Sequence, residues 1–299
     1  MPEMPEVQGL VDFLGERLAG LAITKVTVAN IAALKTYDPP VDALKGAVVT
    51  GAARHGKFVD LATTGPHLVF HLAKAGWLRW YDQLPSTVIR PGRTPIALRV
   101  GLDDGSGFDL TEAGTKKSLA VYVVRDPRDV SGIARLGPDP LDPAFDRDAL
   151  AGLLSGRRTQ IKGVLRDQSI IAGIGNAYSD EILHAARMSP YALATSLGDA
   201  DVDRLYDAMI ELLTDAVATA SGKPPADLKD AKRRGMRVHG RRGEACPVCG
   251  DTVRSVFFAD NSRVRAIAVQ SGGRSMEYCP TCQTKGKILA DRLRSRFLK

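Results

Sequence analysis

Long apolar runs, low-complexity tracts and an apolar signal segment are all missing from this sequence of 299 residues. No stretch approaches the roughly 18 apolar residues in a row that a transmembrane helix needs. The acidic start of the chain lacks the apolar core of a secretory signal. These absences predict an intracellular, cytoplasmic protein with no membrane partner. The composition, 44% apolar and 25% charged, is typical of a globular chain with one large or two ordinary domains.

Cysteine is scarce, and its placement is informative. The sequence has two CxxC pairs, both in the last fifth of the chain: Cys246 with Cys249, and Cys279 with Cys282. Two such pairs supply the four thiolates that a tetrahedral zinc site requires. Two disulfides are the alternative, which the reducing interior of a cell disfavours.

The two cysteine pairs are separated by 29 residues. Zinc sites built from two such pairs more often have a gap of roughly 15–20 residues. The longer gap predicts an extended hairpin that runs from about Phe257 to Met276. Its turn is expected near residues 271–273, which read SGG.

Positive charge is concentrated at the end of the chain. The whole sequence has a net charge of +7. Residues 232–299 contain 16 Lys and Arg against 5 Asp and Glu, a net charge of +11, which leaves −4 for residues 1–231. A basic C-terminal quarter on a slightly acidic body favours a polyanionic partner, most often nucleic acid, although a merely solvated basic face is the alternative.

The chain begins with an amphipathic helix and continues with short strands. Pro5 and Glu6 suit the first turn of a helix, and the apolar residues that follow have helical spacing: Val7, Leu10, Val11, Leu14 and Leu18. From Ala22 to Val124 the apolar period changes to two, and Asp103-Asp104-Gly105 is a hairpin turn signal. A leading helix followed by many short strands predicts a β-sandwich or a β-barrel.

Helices dominate the middle of the chain. Residues 136–145, LGPDPLDPAF, carry three prolines and are typical of an interdomain linker. Helices are then expected after Asp146 and over about residues 158–166, 176–187 and 200–220. Residues 221–230, SGKPPADLKD, are expected to form a loop before the basic, cysteine-bearing module.

The first Pro-Glu pair is not needed to begin that helix, and it suggests chemistry. Initiator methionine is usually removed before a small residue such as Pro2. A free N-terminal proline is a secondary amine that can attack an electrophilic sugar carbon and form an iminium ion. Glu3 stands next to it and could transfer the proton. Many proteins that begin Met-Pro-Glu have no such activity, so the pair by itself is weak evidence.

Residues 167–183, DQSIIAGIGNAYSDEIL, form a second candidate site. The glycines of GIGN allow a tight turn between two helices, and Asn176 then begins the second helix. Amides at a helix N-terminus, together with the Asn176 side chain, can hold a phosphate oxygen. Such a helix pair would position DNA without reading its bases. An ordinary helical corner with packing glycines is the alternative.

A third candidate is Lys57, which follows a glycine just as a strand begins. Its ammonium could lie at the edge of a sheet, where a substrate would reach it. A solvated surface lysine is the simpler interpretation of this residue in isolation.

Taken together, these segments resemble the formamidopyrimidine-DNA glycosylase / endonuclease VIII family. The resemblance covers nearly the whole chain in the expected order, and its segments are PEMPEV at 2–7, HGK at 55–57, HLAKAG at 71–76, LGPDPL at 136–141, the 167–183 segment, HGRRGEACPVCG at 239–250 and YCPTCQ at 278–283. It implies an α+β fold: an N-terminal β-sandwich with a leading helix, a helical domain with a helix–two-turn–helix, and a C-terminal zinc-finger hairpin with four cysteine ligands. The implied domains are 1–135 (catalytic β-sandwich), 136–145 (linker), 146–230 (helix–two-turn–helix) and 231–299 (zinc finger).

The resemblance also implies an activity. The chain would be a bifunctional base-excision-repair enzyme, a DNA glycosylase with β/δ-elimination lyase activity at abasic sites, which flips a damaged nucleotide out of the duplex. Pro2 would be the nucleophile and Glu3 the acid/base. Glu6 matches a second acidic position of the N-terminal signature. Lys57 matches a lysine that binds phosphate and donates a proton.

Further matches concern the grip on DNA. Asn176 matches a phosphate ligand, and Arg158 falls where the family often has a basic contact. Arg274 lies five residues before the third cysteine, which is the offset of the family's zinc-finger arginine. One structural Zn2+ on the four cysteines would fix the hairpin that carries this arginine. The implied partner is double-stranded damaged DNA, so the protein would be nucleoid-associated, act as a monomer and need no small-molecule cofactor.

The sequence departs from the purine-repair branch of this family at three places. Lys74 stands where that branch has an apolar wedge, and a charged lysine is a poor wedge, although it can contact DNA. Residues 112–118, EAGTKKS, lack the branch's Arg-Phe pair. Residues 221–235 look shorter than the loop that covers flipped 8-oxoguanine. We therefore expect a weak preference for 8-oxoguanine, with oxidised pyrimidines, ring-opened purines or abasic sites as better substrates.

Two other functions stay open at this point. A catalytically degenerate binder of damaged or abasic DNA would keep the same scaffold. A zinc-ribbon regulator or RNA-binding module would explain the cysteines and the charge, but it would not explain Pro2-Glu3 or the helix pair around GIGN.

Overall fold

The computed structural model describes residues 1–90, 94–114, 117–257 and 275–290. They divide into two compact units. The first comprises Met1–Leu136 together with Val217–Lys232, and the second comprises Gly137–Ala216 together with Arg233–Lys299. Among the described residues, no helix is both long and apolar enough to cross a bilayer.

The first unit begins with the expected helix, α1 (Met4–Leu18). Its apolar residues fall at helical spacing, so Leu10, Leu14 and Leu18 share one fully buried stripe. The helix begins one residue before Pro5, which has no N–H to lose in the first turn. The predicted leading helix is confirmed.

Eight short strands follow, as the period-two pattern predicted. They are β1 (Ile23–Val28), β2 (Val49–His55), β3 (Phe58–Thr63), β4 (His67–His71), β5 (Gly76–Tyr81), β6 (Ile96–Leu102), β7 (Gly107–Glu112) and β8 (Ala120–Val124). They form two antiparallel four-stranded sheets, with the orders β1-β6-β7-β5 and β2-β3-β4-β8. The sequence left a sandwich and a barrel open, and the structure is the sandwich.

The core of this unit combines α1 with residues from both sheets, including Leu61, Phe70 and Phe108. One buried ion pair lies within the first sheet. The Arg99 guanidinium donates to both Asp109 oxygens, from Nε at 2.7 Å and from Nη2 at 2.8 Å. The predicted hairpin turn at 103–105 joins β6 to β7, and Gly105 adopts the positive φ of 85° that this turn requires.

A late segment of the chain, residues 217–232, packs against α1 within the first unit. A Cβ on Gly9 would come within 2.9 Å of the Ala220 carbonyl oxygen and 3.0 Å of the Leu228 side chain, so this approach needs glycine. Residues 221–230 were expected to form a loop, which is correct through residue 227 and wrong for residues 228–230. A helix, α7 (Leu228–Gly235), begins there and buries Leu228 and Ala231.

The first part of the second unit, Gly137–Ala216, is helical. Its helices are α3 (Arg147–Leu154), α4 (Ile161–Arg166), α5 (Asn176–Ala185) and α6 (Asp199–Ala220), the last of which continues into the first unit, and a short helix α2 (Ser131–Ala134) precedes them in the first unit. Asp146 caps α3 as expected, accepting the Ala149 N–H at 2.8 Å. Helix α4 begins three residues later than expected, after an extended Gln160.

The proline-rich stretch after Leu136 is tied down at several points. Gly137 N–H donates to Gln168 O at 2.8 Å, and Pro138 O accepts the Ala172 N–H at 3.0 Å. At its far end, Phe145 O accepts the Tyr206 hydroxyl at 3.1 Å. Residues 137–145 therefore pack within the second unit, and the linker at 136–145 stays a prediction.

The cysteine-bearing module contains an antiparallel pair of strands, β9 (Arg254–Phe257) and β10 (Ser275–Tyr278), followed by a short helix α8 (Pro280–Thr284). In the ladder, Met276 pairs with Val256. The strands of the predicted hairpin are thus present, while its predicted turn at 271–273 lies outside the described residues. The cysteine cluster completes the predicted α+β fold.

Candidate active site and nucleic-acid interface

The start of α1 holds two carboxylates in a buried setting. Glu3 is 2% exposed and Glu6 is 2% exposed. Glu3 precedes the helix with extended backbone and forms a capping box: Glu6 Oε2 accepts the Glu3 N–H at 2.8 Å, and the Glu3 carboxylate accepts the Glu6 N–H. Two otherwise unpaired helix donors are satisfied in this way. The sequence predicted these residues individually, and the structure places them in one reciprocal arrangement beside the buried Pro2.

Lys57 occupies the tight turn between β2 and β3. Gly56 has a positive φ of 57° there, which a residue with a side chain rarely adopts. Lys57 is only 8% exposed, so the interpretation as a solvated surface lysine is wrong. Burial and then the Lys57 ammonium lower the pKa of His71 to about 4, so His71 is neutral at pH 7.

Lys74 lies in the turn between β4 and β5 and is exposed. Ala73, just before it, has a left-handed backbone with φ of 50°, and its N–H donates to His71 Nδ1 at 3.2 Å. Glu112, at the end of β7, accepts the N–H groups of Ser118 and Leu119 through one carboxylate oxygen, at 2.7 and 3.0 Å. The Glu112 side chain therefore joins the two ends of the 112–118 stretch. Residues 115 and 116 of this stretch lie outside the described part.

The turn between α4 and α5 is organised by Gln168. Its side-chain amide donates to Arg166 O at 2.9 Å and to Ile174 O at 2.7 Å, while its oxygen accepts the Gly173 N–H at 3.0 Å. Of the two glycines in GIG, which were expected to allow a tight turn, Gly173 has a positive φ of 87°, which a residue with a side chain rarely adopts. Gln168 was not singled out from the sequence, although it lies in the motif.

Asn176 is the first residue of α5. Its Nδ2 donates to Ser275 O in β10 at 2.9 Å, and its Oδ1 is buried without a hydrogen-bond partner among the described residues. A buried amide oxygen without a donor is uncommon in proteins. Through its bond to Ser275, Asn176 links the N-terminus of α5 to the strand that leads into the second cysteine pair.

A buried lysine of α4 is hydrogen-bonded to the beginning of α5. Lys162 in α4 is fully buried, and its Nζ donates to Asp180 Oδ1 at 2.5 Å, to Ser179 Oγ at 2.9 Å and to Asn176 O at 3.2 Å. Asp180 Oδ2 in turn lies 2.8 Å from His239 Nδ1. Neither Lys162 nor Asp180 was predicted from the sequence, because a lysine and an aspartate in amphipathic helices are normally exposed.

Glu181 anchors the chain that leads to the first cysteine pair. Its carboxylate accepts three consecutive backbone N–H groups, from Arg237 at 2.8 Å, Val238 at 2.9 Å and His239 at 2.7 Å. Burial raises the pKa of Glu181 although these three bonds oppose the rise. His239 also lies 3.5 Å from Glu277, which bonds the Gly240 N–H. These contacts hold the cysteine-bearing module to α5.

The four cysteines converge, as predicted. Cys246 Sγ lies 3.9 Å from Cys282 Sγ, and Cys249 Sγ lies 3.3 Å from Cys279 Sγ. A disulfide has a bond of about 2.05 Å, and all four are free cysteines here, so the disulfide alternative is excluded. Bonds of about 2.3 Å from a tetrahedral zinc ion would place its sulfurs about 3.8 Å apart, which fits this spacing.

The structure adds His184 of α5 to this cluster. Its ligating nitrogen and the sulfurs of Cys246, Cys279 and Cys282 all lie within 4.8 Å of one another, with His184 Nε2 3.3 Å from Cys246 Sγ. His184 Nδ1 is buried without a hydrogen-bond partner among the described residues. Burial, assisted by Arg237 and Arg187, lowers the pKa of His184 to about 4. A neutral imidazole and cysteine sulfurs form a donor set that suits zinc, and no spacing signal could have revealed it.

The two remaining arginine predictions have different outcomes. Arg158 is exposed in the loop between α3 and α4. Arg274 lies outside the described residues. Exposure of Arg158 does not test its proposed contact with DNA, so the roles of both arginines remain predictions.

Comparisons with known protein families agree with the order of these segments. Residues 1–117 match the family model described as the formamidopyrimidine-DNA glycosylase N-terminal domain. Residues 136–224 match the formamidopyrimidine-DNA glycosylase H2TH domain. The two matched segments contain the start of α1, Lys57 and the α4–α5 turn.

Similar proteins carry the same description. The formamidopyrimidine-DNA glycosylase of Moorella thermoacetica is 35% identical over 268 residues, covering 86% of this chain and 94% of that protein. An uncharacterized formamidopyrimidine-DNA glycosylase-like protein of Mycobacterium tuberculosis is 54% identical over 164 residues, covering 55% of this chain and 94% of that protein.

Two crystal structures show the same fold. The Fpg protein of Thermus thermophilus superposes with a TM-score of 0.75 at 28% identity, covering 94% of this chain and 98% of that one. The Lactococcus lactis enzyme, non-covalently bound to DNA with an abasic site, has a TM-score of 0.79 at 23% identity, covering 94% and 99%. At that identity the second likeness concerns the fold alone.

Proposed function

This chain belongs to the formamidopyrimidine-DNA glycosylase family, and on that premise we propose that it is a base-excision-repair DNA glycosylase with lyase activity at abasic sites. The observation that carries the proposal is the buried pair of Pro2 and Glu3 at the start of α1. The capping box with Glu6 fixes the Glu3 carboxylate next to the proposed nucleophile.

The first step is displacement of the base. After removal of Met1, the Pro2 nitrogen is a secondary amine whose lone pair attacks C1′ of the extruded sugar. The N–C1′ bond forms while the bond from C1′ to the base breaks, and the base leaves with a proton. Glu3 is the proposed proton carrier, because its position is fixed by the capping box. The bond from C1′ to the ring oxygen O4′ then breaks, O4′ gains the proton that the Pro2 nitrogen loses, and an iminium ion between that nitrogen and C1′ remains.

The second step is strand cleavage. The iminium acidifies the 2′ hydrogen, and its removal as a proton expels the 3′ phosphate by β-elimination, which a δ-elimination at the 5′ side can follow. Water then hydrolyses the iminium and restores the Pro2 amine. Lys57, buried in the β2–β3 turn, is the proposed phosphate ligand and proton donor in these steps.

The grip on DNA is proposed to come from phosphate contacts. Asn176 at the start of α5 would bind one phosphate, helped by the amides of that helix end. Arg158, Lys74 and Arg274 would add cationic contacts. Cys246, Cys249, Cys279 and Cys282 would hold one structural Zn2+, which supplies a cross-link that fixes the β9–β10 hairpin.

The lesion preference is proposed to differ from that of the purine branch. The turn between β4 and β5 carries an exposed, charged Lys74, which is a poor wedge for a base stack. We therefore expect oxidised pyrimidines, ring-opened purines or abasic sites to react faster than 8-oxoguanine. A panel of lesion duplexes under single-turnover conditions measures this order, and fastest cleavage of the 8-oxoguanine duplex would contradict it.

Reductive trapping tests the activity. Incubation with an abasic-site duplex and borohydride should give a covalent adduct, and mass spectrometry should map it to an N-terminal peptide that begins at Pro2. Glu3→Gln should slow release of a damaged base more than it slows cleavage of a preformed abasic site, because the latter needs no protonated leaving base. Glu16→Gln, on an exposed position of the same helix, is the matched control.

The alternative is a catalytically degenerate binder of damaged or abasic DNA. It predicts tight, salt-sensitive binding of the abasic duplex but no adduct. Retention of Met1 in the mature chain would give the same result, since the Pro2 nitrogen would then be an amide. Intact-mass measurement of the N-terminus separates the two causes.

A further inference from the structure

Helix α7 brings a lysine to the two carboxylates of the proposed active site. Lys232 Nζ lies 2.7 Å from Glu6 Oε2 and 3.8 Å from Glu3 Oε1. The Lys232 side chain is 16% exposed, while the two carboxylates are 3% and 2% exposed. All three charged groups are thus largely removed from water, where charge interactions are strong.

Lys232 also lies close to the proposed nucleophile. Its Nζ is 3.5 Å from the Met1 carbonyl oxygen. That oxygen is two covalent bonds from the Pro2 nitrogen, so bond lengths of about 1.23 and 1.33 Å put the nitrogen within about 6 Å of the ammonium. Removal of Met1 would therefore create an amine near a fixed positive charge.

The element that carries Lys232 is anchored to the β-sandwich unit. Trp77 Nε1 donates to Pro225 O at 3.0 Å, just before α7. Lys229, one turn before Lys232, places its ammonium 4.4 Å from the centre of the Trp77 ring. Leu228 is buried against α1 at Gly9. These contacts fix the helix, so the position of Lys232 does not depend on its own ion pair alone.

The charges around the N-terminal amine oppose one another. For the α-amine of Met1, the residue before Pro2, burial lowers the pKa, and Lys232 and, more weakly, Lys229 lower it further, whereas Glu3 and Glu6 raise it. Burial alone would lower the pKa of Lys232 itself, but Glu3 and Glu6 outweigh burial and raise it. Lys232 is therefore an ammonium throughout the neutral range.

From this arrangement we propose that Lys232 is a positioning residue for the N-terminal amine: its ammonium offsets the two buried carboxylates and keeps the Pro2 amine unprotonated and nucleophilic at neutral pH. The inference rests on the proposed function for its catalytic consequence. Without Lys232, two carboxylates would face the amine with less compensation and would hold a proton on it. The sequence offered no signal, because residues 228–235, LKDAKRRG, look like part of a solvated basic stretch.

The test compares Lys232→Met with Lys232→Arg and with Lys229→Met. Loss of a charge about 6 Å away at an effective dielectric near 20 shifts an ionisation by about two pH units. The acidic limb of the pH profile for adduct formation with the abasic duplex should therefore move upward by about two pH units in Lys232→Met. Lys232→Arg should keep the limb, and Lys229→Met should move it much less.

A second measurement does not depend on catalysis. The pH dependence of reductive methylation of the N-terminal amine with 13C formaldehyde, followed by NMR, reports the amine's protonation directly. We expect Lys232→Met to raise its midpoint by the same amount, whether or not any adduct forms. An unchanged midpoint in a variant that melts cooperatively would overturn the role of Lys232. If Lys232→Met shifts the midpoint but the wild-type protein forms no adduct, the proposed function would be overturned and the role of Lys232 at the N-terminal amine would stand.

Discussion

Lys162 Nζ donates a 2.5 Å hydrogen bond to Asp180 Oδ1, and both side chains are fully buried. The same ammonium bonds Ser179 Oγ and Asn176 O. The ion pair therefore joins α4 to the first turn of α5, where Asn176 is proposed to bind a phosphate. Such a buried charge pair fixes the two helices relative to each other, but loss of either partner leaves an uncompensated charge in the interior.

Loss of one partner of this pair should be costly. Lys162→Met leaves the Asp180 carboxylate buried without its cation, so we expect the free energy of unfolding of the helical unit to fall by about 3–5 kcal/mol. The double variant with Asp180→Asn should recover part of the loss, since no bare charge remains. Chemical denaturation of the full chain measures both. Lys45→Met, at an exposed position, should change stability little, and an equal effect of the two lysine variants would contradict the prediction.

His71 should make the β-sandwich unit sensitive to acid. Its folded-state pKa of about 4 lies below the ordinary histidine value of 6.5. The unfolded chain therefore binds more protons between these values, and stability falls as the pH drops through that window. We expect the loss of stability from this group to reach about 2 kcal/mol at pH 5. His71→Phe should flatten the pH dependence of the unfolding free energy between pH 7 and 5, and an unaltered slope would rule this contribution out.

His184 should affect how firmly the cysteine cluster holds the proposed zinc ion. Its Nε2 lies 3.3 Å from Cys246 Sγ, and outer groups that bond a ligand typically change metal affinity by about 10–100-fold. We expect His184→Ala to lower the affinity for zinc by about tenfold, measured by competition with a chromogenic chelator, while Cys246→Ser abolishes stoichiometric zinc in the purified chain. Zinc content and zinc affinity equal to wild type would show that the imidazole only packs beside the cluster.

Arg158 should add one phosphate contact. Arg158→Ala is expected to weaken binding to damaged and undamaged duplexes alike and to reduce the slope of log affinity against log salt by about 1. Arg157→Ala is the neighbouring control, because Arg157 Nε already donates to Leu153 O at 2.6 Å at the end of α3. Equal slopes for the two variants would remove Arg158 from the interface.

Local patterns in the sequence were sufficient for much of the fold. The apolar spacing after Pro5, the period-two runs from Ala22 to Val124 and the Asp146 cap each depend on near neighbours, and each was found where it was expected. The two CxxC pairs likewise predicted a cluster, because each CxxC brings two sulfurs together within a single turn. The family could also be identified from the sequence, because each family segment is a contiguous run of residues and the segments follow the expected order.

The buried contacts between residues that are distant in the chain could not be predicted from the sequence. Lys232 meets Glu6, His184 meets Cys246, and Lys162 meets Asp180, and the partners of the first two pairs are separated by 226 and 62 residues. A lysine or histidine in an amphipathic helix is expected to be exposed, because burial of a charge is favourable only when a partner arrives from elsewhere in the chain. The sequence therefore determined the helices, the strands and the chemistry-bearing motifs, whereas tertiary packing alone decided which charges are buried and what they face.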